Sequence, residues 1–168
     1  MNTVNAEHLE AGANALFFDH FETPLGLMEV CATCKSILSV FFVQNAKPVK
    51  PNKLTDMAKQ QLQEYFRGDR LEFDLPCEAK GTKFQQDVWN ALEHIEYGAT
   101  CSYADIADAI DNPKAVRAVG AANGKNPLTI IVPCHRVIGA NGKLTGYAGG
   151  TDRKAWLLAH EFKLNQRP

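Results

Sequence analysis

The chain has 168 residues, of which 45% are hydrophobic and 22% charged, and a net charge of −1. These are the proportions of a soluble globular protein, long enough to bury a core as one domain or two small ones. They exclude a helical membrane protein, because no apolar run approaches the roughly 20 residues that a bilayer requires.

The first fifteen residues, with Glu7, His8 and Glu10, lack the basic and apolar regions of a signal peptide, and residues 1–15 show no period, which predicts a loose tail in a cytoplasmic protein. The five cysteines are odd in number and unevenly spread, so thiols are expected rather than a disulfide framework. Residues 16–22, 27–32 and 37–43 read as three strands of an antiparallel meander, the first two joined by Thr23-Pro24-Leu25-Gly26. Cys31 and Cys34 form a C-x-x-C pair that suits half a zinc site or a redox motif, but no further ligands complete it, which favours structural cysteines.

Beyond a proline-punctuated loop, Leu54, Met57, Ala58, Leu62, Tyr65 and Phe66 recur at helical spacing until Arg67-Gly68. Leu71, Phe73 and Leu75 alternate with Glu72 and Asp74 as in a half-buried strand. Residues 76–81 read as a linker, dividing an N-terminal α+β domain, residues 1–80, from a C-terminal domain, residues 81–168.

In the second domain Thr82 with Gln85 makes a capping box, and Phe84, Val88, Leu92 and Ile95 line one face of the helix it opens, which is expected to end near Tyr97-Gly98. Trp89 flanks this stripe as a core residue. Ser102 with Asp105 makes a second capping box for a short helix to Ile110. Asn112 then reads as an N-cap with Pro113 at the first position of another helix, to about Ala122. Helix, tight turn, helix is the spacing of a helix-turn-helix unit.

That last helix, Lys114 to Ala122, carries little bulk besides Arg117 and two valines. From Pro113 to Lys154 seven basic residues stand against Asp152 alone, a local +6 that leaves −7 for the rest of the chain. Small residues on a helix, one long cation and a basic segment point together to DNA contact.

The β-branched run Thr129 to Val132 reads as a short buried strand ended by Pro133. Cys134 follows, with His135 and Arg136 beside it. A thiol with neighbouring positive charge and a proton acceptor has what a low-pKa nucleophile needs, although a small buried cysteine with an ordinary polar neighbour is the alternative. Asn141-Gly142 forms a turn, and residues 146–150 form a glycine-rich loop that lets backbone N–H groups approach a ligand. Thr151 or Asp152 caps a last helix, on which Trp156 with His160 and Leu157 with Glu161 are paired at i, i+4. Glu161 lies toward the end of that helix, where the dipole disfavours a carboxylate, which hints at another duty.

These residues resemble a known family, the methylated-DNA-protein cysteine methyltransferases (O6-alkylguanine-DNA alkyltransferases). Pro133-Cys134-His135-Arg136-Val137 is similar to its acceptor-cysteine motif. Ser102-Tyr103, Arg117-Ala118-Val119-Gly120, Asn126-Pro127, Gly146-Tyr147-Ala148-Gly149-Gly150 and Trp156-Leu157-Leu158-Ala159-His160-Glu161 match in order. The resemblance covers residues 81–161 strongly; the first half matches in its Thr-Pro-Leu-Gly turn and layout. It implies an α+β chain: an N-terminal ribonuclease-H-like domain of a small antiparallel sheet with a helix, and a C-terminal, mostly helical, winged-helix-like domain with a helix-turn-helix.

The same resemblance implies irreversible alkyl transfer from O6 of guanine in double-stranded DNA to Cys134, once per molecule, with O4 of thymine as a second candidate substrate. His135, through a water, and Glu161 behind it would support the thiolate, Asn126 would hold the preceding segment, and Tyr103 would donate a proton toward the base. Ser102, Tyr103, Lys114, Ala115, Arg117, Gly120, Val137, Tyr147, Ala148 and Gly149 would contact DNA or the flipped base, Arg117 entering the stack. No cofactor and no metal are implied, and the partner is duplex DNA met by a monomer, with no membrane involved.

Overall fold

A computed structural model describes residues 15–165. The loose tail expected over residues 1–15 lies, apart from Ala15, outside the described residues. The chain divides at Glu78/Ala79 into two compact units, each described here by itself.

The first unit is a three-stranded antiparallel meander in the order β1 (Phe17–Thr23), β2 (Gly26–Ala32), β3 (Ile37–Phe42), with one helix, α1 (Lys53–Arg67), packed on it. At the first hairpin the Thr23 hydroxyl donates to the Gly26 carbonyl at 2.7 Å, and Gly26 takes φ 122°, open to a residue without Cβ. Met28, Val30, Ile37 and Val40 from the sheet meet Ala58, Leu62 and Tyr65 from α1 in a fully buried core. Asn52 and Thr55 cap α1 reciprocally, and Gly68 ends it in the left-handed conformation.

The strand expected over Leu71–Leu75 does not form. Its alternation holds at Phe73, which packs against Tyr65, but not at Leu71, which is exposed, and its backbone is held by a side chain: the Gln61 amide donates to Asp74 O and accepts from Asp74 N. Only Cys77, beyond it, bridges to Ile37.

The second unit contains α2 (Lys83–Leu92), β4 (Cys101–Ser102), α3 (Tyr103–Ala109), α4 (Val116–Gly124), a single 3-10 turn (Cys134–Arg136), β5 (Val137–Ile138) and α5 (Thr151–Asn165). Both expected capping boxes are present, Thr82 with Gln85 and Ser102 with Asp105. Helix α2 ends earlier than its apolar stripe, at Leu92, and turns carry the chain on to Gly98. Trp89 is a core residue whose indole N–H donates to Ala122 O at 2.8 Å, tying α2 to α4. β4 and β5 pair in parallel, Cys101 with Val137 and Ser102 with Ile138.

Helices α3 and α4 pack together as a helix-turn-helix pair, but the second starts later than Asn112-Pro113 suggests. Asp111 turns left-handed at φ 59°, Asn112 O accepts from Ala115 N in a separate turn, and the helix opens at Val116 with no side-chain cap.

The strand expected over Thr129–Val132 is also replaced. Asn126 donates through Nδ2 to Val132 O (2.8 Å) and Leu128 O (3.3 Å) and accepts from Leu128 N (2.9 Å). These bonds fold residues 128–132 into a compact turn, closed by Val132 N to Leu128 O, in which Ile130 is left-handed at φ 73°. Leu128, Ile130 and Val132 stay buried, so the apolar run is satisfied by burial without a strand partner.

Candidate active site

Pro133 leads from that turn into one 3-10 turn that carries Cys134, His135 and Arg136, all buried. The turn removes the opposite-facing geometry that an extended Cys-His pair would have. Asn123 on α4 donates through Nδ2 to Cys134 O at 3.3 Å, so the acceptor loop is held by two asparagines, Asn123 and Asn126.

His135 is 0% exposed at its side chain and Glu161 1%, and they meet at 2.7 Å, Nε2 to Oε2. Arg136 reaches the same carboxylate with two nitrogens, Nε to Oε1 at 2.7 Å and Nη2 to Oε2 at 3.0 Å, while its Nη1 donates to Ile95 O. Burial works to raise the Glu161 pKa, but the hydrogen bonds and charges of His135 and Arg136 outweigh it and hold the carboxyl well below its ordinary range. Burial drives the His135 pKa down, against the pull of Glu161. The permanent charge of Arg136 therefore keeps Glu161 ionised, beside a neutral imidazole. An ionised acceptor at Nε2 assigns the proton to Nε2 and leaves Nδ1 as a bare lone pair, buried and without a partner among the described residues.

Glu161 is not terminal on its helix, which continues to Asn165. Its duty is to hold Arg136 and His135. The expectation that Arg136 lends charge to the thiol is corrected on the same ground, since its guanidinium is turned to Glu161. Burial pushes the Cys134 thiol up rather than down, opposed by a hydrogen bond from the Asn126 side chain, by the charge of Lys154 and by backbone N–H groups. At rest Cys134 is a neutral thiol.

Lys154 was not singled out by the sequence. It sits fully buried in the first turn of α5 and donates from Nζ to Val137 O and, at 2.8 Å, to Thr145 O. Thr145 O also accepts the Tyr103 hydroxyl at 2.7 Å. Two members of the basic segment, Arg136 and Lys154, thus face inward, which leaves Lys114, Arg117, Lys125 and Lys143 exposed and Arg153 half-buried.

The remaining candidates surround this centre in the same unit. Val137 and Tyr147 are buried, Gly120 and Gly149 half-buried, and Ala148 exposed. The Tyr147 hydroxyl and Asn123 Oδ1 are likewise buried polar atoms without a hydrogen-bond partner among the described residues. Tyr103 is half-buried, with its hydroxyl 2.8 Å from where a Cβ on Gly146 would lie, so only glycine fits there. Ser102 caps α3; Lys114 and Arg117 are exposed and Ala115 half-buried, on and before the first turn of α4. Cys31 is buried, Cys34 exposed and both are free, and no group of three or more His, Cys, Asp or Glu among the described residues could hold a metal ion. No helix among the described residues is long and apolar enough to cross a membrane.

Residues 83–163 match the family described as 6-O-methylguanine DNA methyltransferase, DNA binding domain, and residues 16–79 match its ribonuclease-like domain. The chain belongs to the 6-O-methylguanine DNA methyltransferase family. Within it, the chain is 51% identical over 154 residues to the constitutive methylated-DNA–protein-cysteine methyltransferase of Bacillus subtilis, with 84% of this chain and 93% of the relative covered. It is 46% identical to a methylated-DNA–protein-cysteine methyltransferase of Methanosarcina acetivorans, covering 87% and 98%. A crystal structure of the Mycobacterium tuberculosis family member in complex with DNA superposes with a TM-score of 0.81 at 43% identity, covering 88% and 93% of the two chains.

Proposed function

We propose that this methyltransferase repairs duplex DNA by moving an alkyl group from O6 of guanine onto Cys134 Sγ. The observation that carries the reading is the buried series Arg136, Glu161, His135, which ends in an unpartnered imidazole nitrogen on the turn that also bears the buried thiol. The acceptor, the pocket residues and the helix-turn-helix all belong to the domain assigned to residues 81–168.

His135 Nδ1 takes the Cys134 proton through a bridging water, and the imidazolium so formed is stabilised by Glu161. The sulfur attacks the alkyl carbon, the carbon–O6 bond breaks, and its electrons pass to the base. The Tyr103 hydroxyl turns from Thr145 O to supply a proton toward the ring, so the guanine leaves neutral, and the proton held by His135 returns through water to the tyrosine. The product is a thioether with no leaving group, and each molecule is used once. The transfer balances without a cofactor.

A thiol only 5% exposed cannot reach an O6 at the major-groove edge of a stacked pair. The nucleotide is therefore flipped into the protein, at a few kcal/mol that a poorly paired lesion reduces. Arg117, exposed on the first turn of α4, fills the vacated place in the stack, and Ser102, Lys114 and Ala115 meet the backbone nearby. Val137, Tyr147, Ala148 and Gly149 line the base pocket, with Gly120 below Tyr103. The protein acts as a cytoplasmic monomer.

The test is intact mass after incubation with a duplex holding O6-methylguanine. A gain of one methyl that maps to the Cys134 peptide, absent in Cys134→Ser, is expected; a methyl on another residue, or none, refutes the assignment.

A further inference from the structure

Burying a lysine away from water is costly unless its charge is answered, and burial does depress the Lys154 pKa. No carboxylate pairs with Lys154 among the described residues; its partners are two carbonyls, Val137 O and Thr145 O. It also lies in the first turn of α5, the helix end where the dipole disfavours cations. Satisfying two carbonyls needs only a neutral donor, so the full charge is the feature that stability does not require.

What the position does provide is connection. Val137 O belongs to the residue paired with β4 just after the acceptor turn, and Thr145 O belongs to the loop that leads into Gly146 and Tyr147. Thr145 O is shared with the Tyr103 hydroxyl, and Lys154 Nζ lies 5.8 Å from the Tyr103 ring centroid. One ammonium therefore joins α5, the segment after Cys134, the glycine loop and α3. Its charge and that of Cys134 also act on each other, each favouring the ionised form of its partner.

We propose that Lys154 is a positioning residue for the alkyl transfer: its ammonium fixes the Val137 and Thr145 carbonyls, and through Thr145 the Tyr103 hydroxyl, around Cys134, and its positive charge favours the sulfur as it ionises. This rests on the acceptor role given to Cys134 above. When Tyr103 gives up its proton to the base, the same ammonium faces the phenolate that is left. The transfer thus creates two negative charges, on sulfur and then on the tyrosine oxygen, and the charge of Lys154 favours both. Other ionisable groups on the packed elements are His135 and Arg136 on the acceptor turn, Asp152, Arg153, His160, Glu161 and Lys163 on α5, Lys143 and Tyr147 on the loop, Cys101 on β4, Asp105 and Asp108 on α3, Lys83 and Asp87 on α2, and Arg117 on α4. Of these, Arg136 is committed to Glu161, and Arg153 to the Gly149 carbonyl among its partners.

The experiment compares wild type with Lys154→Met, which keeps length and loses the charge, and Lys154→Arg, which keeps the charge. Two rates are followed from pH 6 to 10: methyl transfer from an O6-methylguanine duplex, and labelling of Cys134 by iodoacetamide, read at the Cys134 peptide. The Met variant is expected to shift the labelling profile up by about one pH unit and to slow transfer about tenfold or more at pH 7.5, while duplex affinity changes less than about twofold. The Arg variant is expected to recover the labelling profile. Labelling and transfer profiles of Lys154→Met that superimpose on wild type overturn the proposal, and so does a Met variant that loses transfer with no change in labelling. If Lys154→Met does not fold, Lys154→Gln makes the same comparison. Should wild type take up no methyl, the acceptor reading fails on its own, and the iodoacetamide profiles still report whether Lys154 acts on the thiol.

Discussion

Replacing Glu161 by glutamine tests the centre of the site. Its Oε1 accepts from Arg136 Nε, and its Oε2 accepts from both His135 Nε2 and Arg136 Nη2. A glutamine has the right shape, but its amide nitrogen must face a donor whichever way it turns, and the buried guanidinium loses its counter-charge. Breaking a buried pair from one side costs about 3–5 kcal/mol. Ile95 O and the Tyr97 ring still engage Arg136, which argues for the lower end, about 3 kcal/mol. At about 2–4 °C per kcal/mol for a chain of this size, the melting temperature should fall by about 10 °C at pH 7. The folded-state pKa of Glu161 lies below its unfolded value, so its contribution is complete above about pH 4.3 and is lost as the pH falls below that. The gap between wild type and Glu161→Gln should therefore narrow on acidification. Transfer should slow about 100-fold at pH 7, because His135 loses the anion that fixes its tautomer. Melting followed by circular dichroism at pH 7 and pH 4 reads the stability, and single-turnover kinetics the rate. A variant that melts within about 2 °C of wild type at pH 7 would refute the reasoning.

Arg117→Ala removes an exposed side chain and should leave stability within about 0.5 kcal/mol, while slowing repair of a duplex about tenfold or more and sparing reaction with free O6-benzylguanine; equal losses on the two substrates count against base extraction. Asn126→Ala deprives Leu128 N, Leu128 O and Val132 O of their partner and should cost about 2–4 kcal/mol, seen as a lower urea midpoint at unchanged m-value. Gly146→Ala introduces a Cβ 2.8 Å from the Tyr103 hydroxyl at a residue with φ 68°, and should slow transfer about tenfold while Cys134 still labels with iodoacetamide; an unaltered transfer rate would remove Tyr103 from the proton path.

Signals carried by neighbouring residues were legible in the sequence. The capping boxes of α2 and α3 require only a hydroxyl and an acceptor three residues on, and both formed. The meander followed from alternation and one Thr-Pro-Leu-Gly turn. The two strands that do not form share a cause: a side chain, not a strand, takes the backbone hydrogen bonds. Gln61 did so for Asp74 and Asn126 for Leu128 and Val132, and neither contact leaves a mark on hydrophobic period. Arg136 and Lys154 were counted as surface charge because nothing local distinguishes a buried cation from an exposed one. The only local signal that Glu161 carries beyond its helical spacing is an awkward place for a carboxylate, toward the C-terminal end of a helix. Asn123, buried against the Cys134 carbonyl, gave no signal at all beyond being a polar residue on a small-residue helix.

The turn before Cys134 has a consequence for how autonomous the acceptor motif is. Thr129 to Val132 has the composition of a strand, yet Ile130, a β-branched residue, is held left-handed at φ 73°, a conformation that costs of order 1–3 kcal/mol. Local preference and native structure are in conflict here, and the conflict is resolved by Asn126 and by burial of Leu128, Ile130 and Val132. A peptide spanning residues 126–137 has neither the buried surroundings nor Glu161, and would relax toward an extended chain with an ordinary exposed thiol. The motif that is easiest to find in the sequence is thus locally frustrated, and its reactivity is a property of the domain around it.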